Sequence, residues 1–101
     1  MSRSRIDVPR EALANFCVAH GVQRLALFGS VLGDDFRVDS DVDVLIEFRP
    51  EQRVGYLRLA RMEVELSRLF ARKVDLRTPA ELSRHLRDEV LRTAEVQYAA
   101  A

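Results

Sequence analysis

"GSVLGDDFRVDSDVDVLIEF", residues 29–48, is the stretch on which the reading of this chain turns. It sets five aspartates and two glycines against an apolar run. In its last eight residues Val42, Val44, Ile46 and Phe48 alternate with Asp41, Asp43, Leu45 and Glu47, the period of two that marks a strand. The apolar face needs helices packed on it, and the aspartate face must open to water or to cations. Asp41 and Asp43 project from the same face with Cα atoms roughly 6.5–7 Å apart by strand geometry. Two carboxylates so held can grip a cation between them, and without one they repel.

Working outward, "RLALF" (Arg24 to Phe28) is a short apolar run bounded by Gly29, long enough for a buried strand and too short for a helix. Residues 31–40 are polar and turn-rich, opening with one helical turn after Ser30. Upstream, Leu13, Phe16, Cys17 and His20 recur at helical steps between Pro9 and Gly21, which predicts a helix from about Pro9 to His20. Downstream, Pro50 ends the strand and Gly55 precedes a long helix whose stripe is Leu59, Met62, Leu66, Leu69 and Phe70. Arg58, Arg61, Glu65, Arg68 and Arg72 fall on its other faces, read as a solvated surface with ion pairs inside the helix. "KVDLR" (Lys73 to Arg77) predicts a third strand carrying Asp75. Thr78, Pro79 and Glu81 are a helix start, with a break near Ser83 before Leu86, Val90 and Leu91. "EVQYA" near the end reads equally as a last helical turn or a short edge strand.

The 101 residues predict one domain, 1–101, with a single core. Sixteen basic and sixteen acidic residues balance, so affinity for nucleic acid or membrane would need a local site, and no direct nucleic-acid binding is expected. No segment has the length of a secretory apolar region or a bilayer span, which predicts a cytoplasmic location and no membrane partner. Cys17 is the sole cysteine, so an internal disulfide is impossible; beside Phe16 it reads as a small core residue.

The acidic residues carry the chemistry. Asp75 supplies a third carboxylate if its strand lies beside that of Asp41 and Asp43. Hard oxygen ligands of this kind suit Mg²⁺, with Mn²⁺ as an alternative. Two such ions about 3.5–4 Å apart serve in-line displacement at phosphorus, one activating the attacking oxygen and the other stabilising the leaving one. Gly29 lets the backbone approach closely, and Ser30 with the amides after it can donate to a phosphate oxygen.

A strand ending in Gly-Ser, a spacer, Asp-x-Asp running into an apolar strand, and a later aspartate on a third strand resemble the polymerase-beta-type nucleotidyltransferase superfamily. The short length, "LFGSVLGDDFRVDSDVDVLIEF" and "KVDLRTP" resemble its minimal MNT members, many of them antitoxins to HEPN-domain ribonuclease toxins. The likeness runs from about Val22 to Tyr98. It implies an α/β (α+β) fold, a small mixed sheet with helices packed on it, and transfer of AMP from ATP with Mg²⁺, two ions being expected. It implies that Gly29 and Ser30 hold the donor's phosphates and that Asp41 and Asp43 coordinate both metals. Asp75 would complete the metal site and help deprotonate the acceptor. The implied partner is a HEPN toxin with a tyrosine as acceptor, in a homo- or hetero-oligomer.

One departure concerns Gly33: many members have a basic residue three positions after the serine. Arg37 is the candidate to replace it at the phosphates. Asp34, Asp35 and Asp39 read as loop caps and turns. An EF-hand reading of Asp39, Asp41 and Asp43 fails, because Val44 replaces the turn glycine and Pro50 the bidentate glutamate. A solvated strand edge would explain Asp41 and Asp43 but not their union with Gly29, Ser30 and Asp75. The alternative function is a binding module that keeps the fold and neutralises its partner by covering it.

Overall fold

A computed structural model describes residues 6–101. Helix α1 (Arg10–His20) leads into β1 (Val22–Phe28), a single 3-10 turn (Gly29–Leu32) and β2 (Val42–Phe48). Helix α2 (Tyr56–Phe70) and β3 (Val74–Arg77) follow, then a second 3-10 turn (Pro79–Glu81), α3 (Arg84–Thr93) and β4 (Glu95–Ala99). The strands form one mixed sheet in the order β3-β2-β1-β4. β1 runs antiparallel to β2 and to β4, while β2 and β3 are parallel, joined through α2. "EVQYA" is thus an edge strand: Arg24 and Leu25 of β1 pair with Ala99 and Tyr98.

The main core lies between one sheet face and helices α1 and α2. Leu13, Phe16 and Cys17 of α1 and Met62, Leu66 and Phe70 of α2 meet Leu25, Leu27, Val42, Val44, Ile46, Val74 and Leu76. Leu59 and Leu69 of the α2 stripe pack at its margin. Burial pushes the Cys17 thiol up to about 12, which leaves it an inert core residue.

The other face corrects one expectation. It does not open along its whole length, because Leu45, Phe28, Leu82 and Val90 form a second buried cluster beneath α3. Burial on both faces is why "RLALF" reads as a continuous apolar run. What stays open is the end of the face that carries Asp41 and Asp43. The helix start at Thr78 makes one turn before the break: the Glu81 carboxylate accepts from the Thr78 amide and hydroxyl, both at 3.0 Å. Ser83 then caps α3 by accepting from Leu86 N, and Arg87 donates back to the Pro79 and Leu82 carbonyls.

Among the described residues, Glu63 and Glu65 of α2, and Arg72 just past its end, reach other elements, and no ion pair forms within the helix. Glu65 meets His20 Nε2 at 3.3 Å, and Glu63 accepts from Leu76 N at 2.8 Å. Arg72 donates to the Arg37 and Ser40 carbonyls and lies 4.5 Å over the Phe36 ring, fastening the loop before Asp41. No helix among the described residues is long and apolar enough to cross a membrane.

Met62→Ala should cost about 2–5 kcal/mol, the usual range for emptying a packed core site. Leu57→Ala, at a side chain 81% exposed on the same helix, should stay within about 0.5 kcal/mol. Urea unfolding of both variants checks the assignment of the buried face.

Candidate active site

The parallel register of β2 and β3 fixes the site. Val42 aligns with Val74, Asp43 with Asp75, and Val44 with Leu76. The core takes the valines and leucine, so the alternation of both strands sends Asp43 and Asp75 out of the opposite face side by side. Neighbouring strands stand roughly 4.8 Å apart. Asp41 sits one step before β2 on the same face, and its neighbour Val42 is tied to Lys73 by a 2.8 Å backbone hydrogen bond. The three carboxylates therefore gather at one end of one face.

Side chains of α2 hold β3 in place. As an edge strand, β3 turns alternate amides away from the sheet; Ser67 Oγ accepts from Val74 N at 2.9 Å and Glu63 Oε2 from Leu76 N at 2.8 Å. Ser67 Oγ in turn donates to the Glu63 carbonyl. The outward edge is thus satisfied, and Asp75 between these two anchors is fixed relative to Asp43.

Gly29 and Asp43 interlock. Gly29 has φ +76°, in the left-handed region, and a Cβ built on it would overlap Asp43 Oδ2. The missing side chain is the space in which the Asp43 carboxylate sits, so the Gly-Ser turn and the Asp-x-Asp strand form one construction. Ser30 follows on the 3-10 turn, its carbonyl accepting from Gly33 N at 2.9 Å. A cleft of about 470 Å³ opens here, lined by Gly29, Gly33 and Asp43 on one side and by Leu86, Glu89 and Thr93 of α3 on the other. That volume falls within the range of small-molecule sites. A smaller pocket of about 260 Å³ lies on the far side of Asp75, against Tyr56, Glu63, Arg77 and Glu81.

The electrostatics distinguish the three carboxylates. Asp43 has its pKa raised from the ordinary 3.8, chiefly by desolvation, then by Asp75 and Asp41, with Arg77 acting in the opposite direction. Asp75 is clasped by Arg77, whose Nε stands 3.1 Å from Oδ1. Asp41 has Lys73 at the outer limit of an ion pair, 4.0 Å. Among the described residues Asp43 takes no hydrogen bond or ion pair of this kind. Nor do any three His, Cys, Asp or Glu side chains among them stand close enough, as oriented, to enclose an ion. Asp43 and Asp75 stand in register with Asp41 one step before them, and the Asp75 carboxylate is turned to Arg77.

Arg37 is not brought to the cleft. Its N–H donates to Ser40 Oγ and its carbonyl accepts from Arg72, while its side chain is exposed in the loop. Sequence reasoning missed Arg77 and Glu63. Arg77 was accessible by the same alternation that located Asp75, since residues two apart on a strand share a face. Glu63 carried no signal beyond being an acid beside the α2 stripe.

A model of the "Nucleotidyltransferase domain" family matches residues 10–97. Protein adenylyltransferase MntA of Thermococcus cleftensis is 35% identical over 78 residues, 77% of this chain and 75% of that protein. A toxin-antitoxin crystal structure with AMP-PNP shares the fold with a TM-score of 0.74 at 16% identity, over 92% of this chain and 75% of its own. A structure of a tri-AMPylated Shewanella oneidensis HEPN toxin in complex with an MNT antitoxin matches with a TM-score of 0.66 at 16% identity, over 90% and 70% of the two chains.

Two outcomes test the geometry. Gly29→Ala should destabilise the fold by about 1–2 kcal/mol from the backbone conformation alone, with displacement of Asp43 added, as read by denaturant unfolding. For Asp43, a folded-state pKa above the unfolded value makes stability fall as pH rises from about 3.8 through the folded value. Asp43→Asn should therefore raise the thermal midpoint at pH 7 in metal-free buffer, and the gain should vanish below the ordinary aspartate pKa. Equal or lower stability of the variant at pH 7 would contradict the repulsive cluster.

Proposed function

The chain belongs to the nucleotidyltransferase domain family, and we propose that it acts as a protein adenylyltransferase, moving AMP from ATP to a tyrosine hydroxyl of a HEPN-domain toxin. The observation that carries this reading is the side-by-side register of Asp43 and Asp75, with Asp41 on the same face and Gly29 closed against Asp43. Identity to an adenylyltransferase supports the reaction, and the likeness to a complex holding a tri-AMPylated toxin supports the acceptor. In this reading the chain is an antitoxin that silences its partner covalently, in a cytoplasmic setting supplied with ATP.

In the proposed reaction the acceptor oxygen attacks the α-phosphorus of ATP. The bond to the bridging oxygen breaks, and pyrophosphate leaves with that electron pair. Divalent ions, Mg²⁺ by the hardness of the ligands, would offset phosphate charge at the site. Asp43 on β2 and Asp41 one step before it would hold them, with Asp75 from β3. The cleft beside Gly29 and Gly33 receives the triphosphate end of the donor, with Gly29 allowing close backbone approach and the Ser30 turn offering its hydroxyl and amides. Asp75 faces the acceptor side, where its carboxylate accepts the proton released by the attacking hydroxyl. Gly33 supplies no cation to the phosphates, and Arg37 reaches them only if its loop side chain swings inward.

The test is intact-mass measurement of the HEPN partner after incubation with the chain, ATP and Mg²⁺. The expected result is one or more AMP additions, with the initial rate reduced at least about a hundredfold in Asp43→Asn and in Asp41→Asn, the scale of losing one group that stabilises transition-state charge. Protection of the partner with no mass change would replace the enzyme by the covering module.

A further inference from the structure

Of the three carboxylates, one is already gripped from within the protein. Arg77 Nε stands 3.1 Å from Asp75 Oδ1, and Arg77 Nη2 stands 3.4 Å from Oδ2. Each oxygen faces its own guanidinium nitrogen, the fork geometry of a bidentate pair. Residues 75 and 77 share a face of β3, so the clasp follows from the alternation of the strand. Among the described residues the carboxylates do not close on a common point, although β2 and β3 place Asp43 and Asp75 in direct register. In this arrangement both oxygens of Asp75 face Arg77.

Building on the metal-dependent reading above, we propose that Arg77 is a positioning residue, an internal counter-ion that holds Asp75 until a divalent cation displaces it. Loading the site is then an exchange of guanidinium for metal at Asp75. Three features support this. The pair is partly open to water, its side chains 46% and 35% exposed, so it is weak enough to be broken. A dication placed among three carboxylates has twice the charge of the guanidinium and more carboxylate partners. The released side chain has a destination, because Arg77 and Glu81 line the same pocket and the Glu81 charge already favours the Arg77 cation.

Lys73 does not do the same for Asp41, since its contact is 4.0 Å and its side chain is 80% exposed. The exchange is therefore confined to the carboxylate on the acceptor side. Asp41 and Asp43 are available to a cation first, and Asp75 joins once Arg77 has let go. The acceptor half of the site is assembled last.

The test is Mn²⁺ binding to the full chain by titration calorimetry, without nucleotide, for the unaltered chain, Arg77→Gln, Asp75→Asn and the double variant. Arg77→Gln should bind Mn²⁺ roughly tenfold more tightly than the unaltered chain, from loss of one competing positive charge. The gain should disappear when Asp75→Asn is added. A merely supporting role for Arg77 would weaken binding when it is removed. Arg77→Lys keeps the charge without the fork and guards against a misfolded Gln variant; it should show a smaller gain of the same sign. Equal or weaker Mn²⁺ binding in the folded Arg77 variants overturns the exchange while leaving the metal reading intact. An unaltered chain that binds no Mn²⁺, with or without ATP, overturns both.

Discussion

Mutual repulsion among three carboxylates at one end of the sheet is the constraint around which this protein is arranged. Asp43 lies beside Asp75 across a parallel strand pair, and Asp41 precedes it on the same face. The raised pKa of Asp43 comes first from desolvation and then from the neighbouring charges of Asp75 and Asp41. A fold that needed only stability would not keep three acids together. In the proposed reaction a polyvalent cation and a phosphate chain would share the pocket with them.

The scaffold imposes this arrangement through apolar burial. Val42, Val44 and Val74 are drawn into the core against α1 and α2, and the residues between them have nowhere to project but the opposite face. Glu63 and Ser67 then satisfy the outward amides of β3, so this short edge strand is held at both of its core residues. At the other flank, Gly29 gives up a side chain so that the Asp43 carboxylate can occupy that volume. Arg72, packed on Phe36 and bonded to the carbonyls of residues 37 and 40, steadies the loop that delivers Asp41. Strand register, edge capping and turn geometry thus converge on one end of one sheet face.

The site is asymmetric. On the Asp43 side the wider cleft runs between the Gly29 turn and α3, with Phe28 and Val90 of the second apolar cluster in its lining. On the Asp75 side the smaller pocket is charged and carries Arg77 and two glutamates. In the proposed reaction the extended triphosphate of the donor would take the wider side and the acceptor hydroxyl the smaller. In-line transfer needs them on opposite sides of the reacting phosphorus, and the row of carboxylates stands between the two openings.

The sequence by itself determined the elements and the identity of the acids, because both depend on short-range periodicity. The alternation of "DVDVLIEF", the stripe from Leu59 to Phe70, the cap at Thr78 and the break near Ser83 are visible within a few residues. The resemblance carried by Gly29, Ser30, Asp41, Asp43 and Asp75 likewise rests on residues close together in the chain or at strand ends. Tertiary structure alone decided that "EVQYA" pairs with β1, since a five-residue apolar-polar segment is helix or strand according to the neighbour it finds. It also decided that α3 covers Leu45, that Glu63 of α2 reaches β3 while Arg72 beyond it reaches the loop, and that Arg77 meets Asp75. These are contacts between residues brought together by packing, and local pattern holds no record of which side chain will meet which across a sheet.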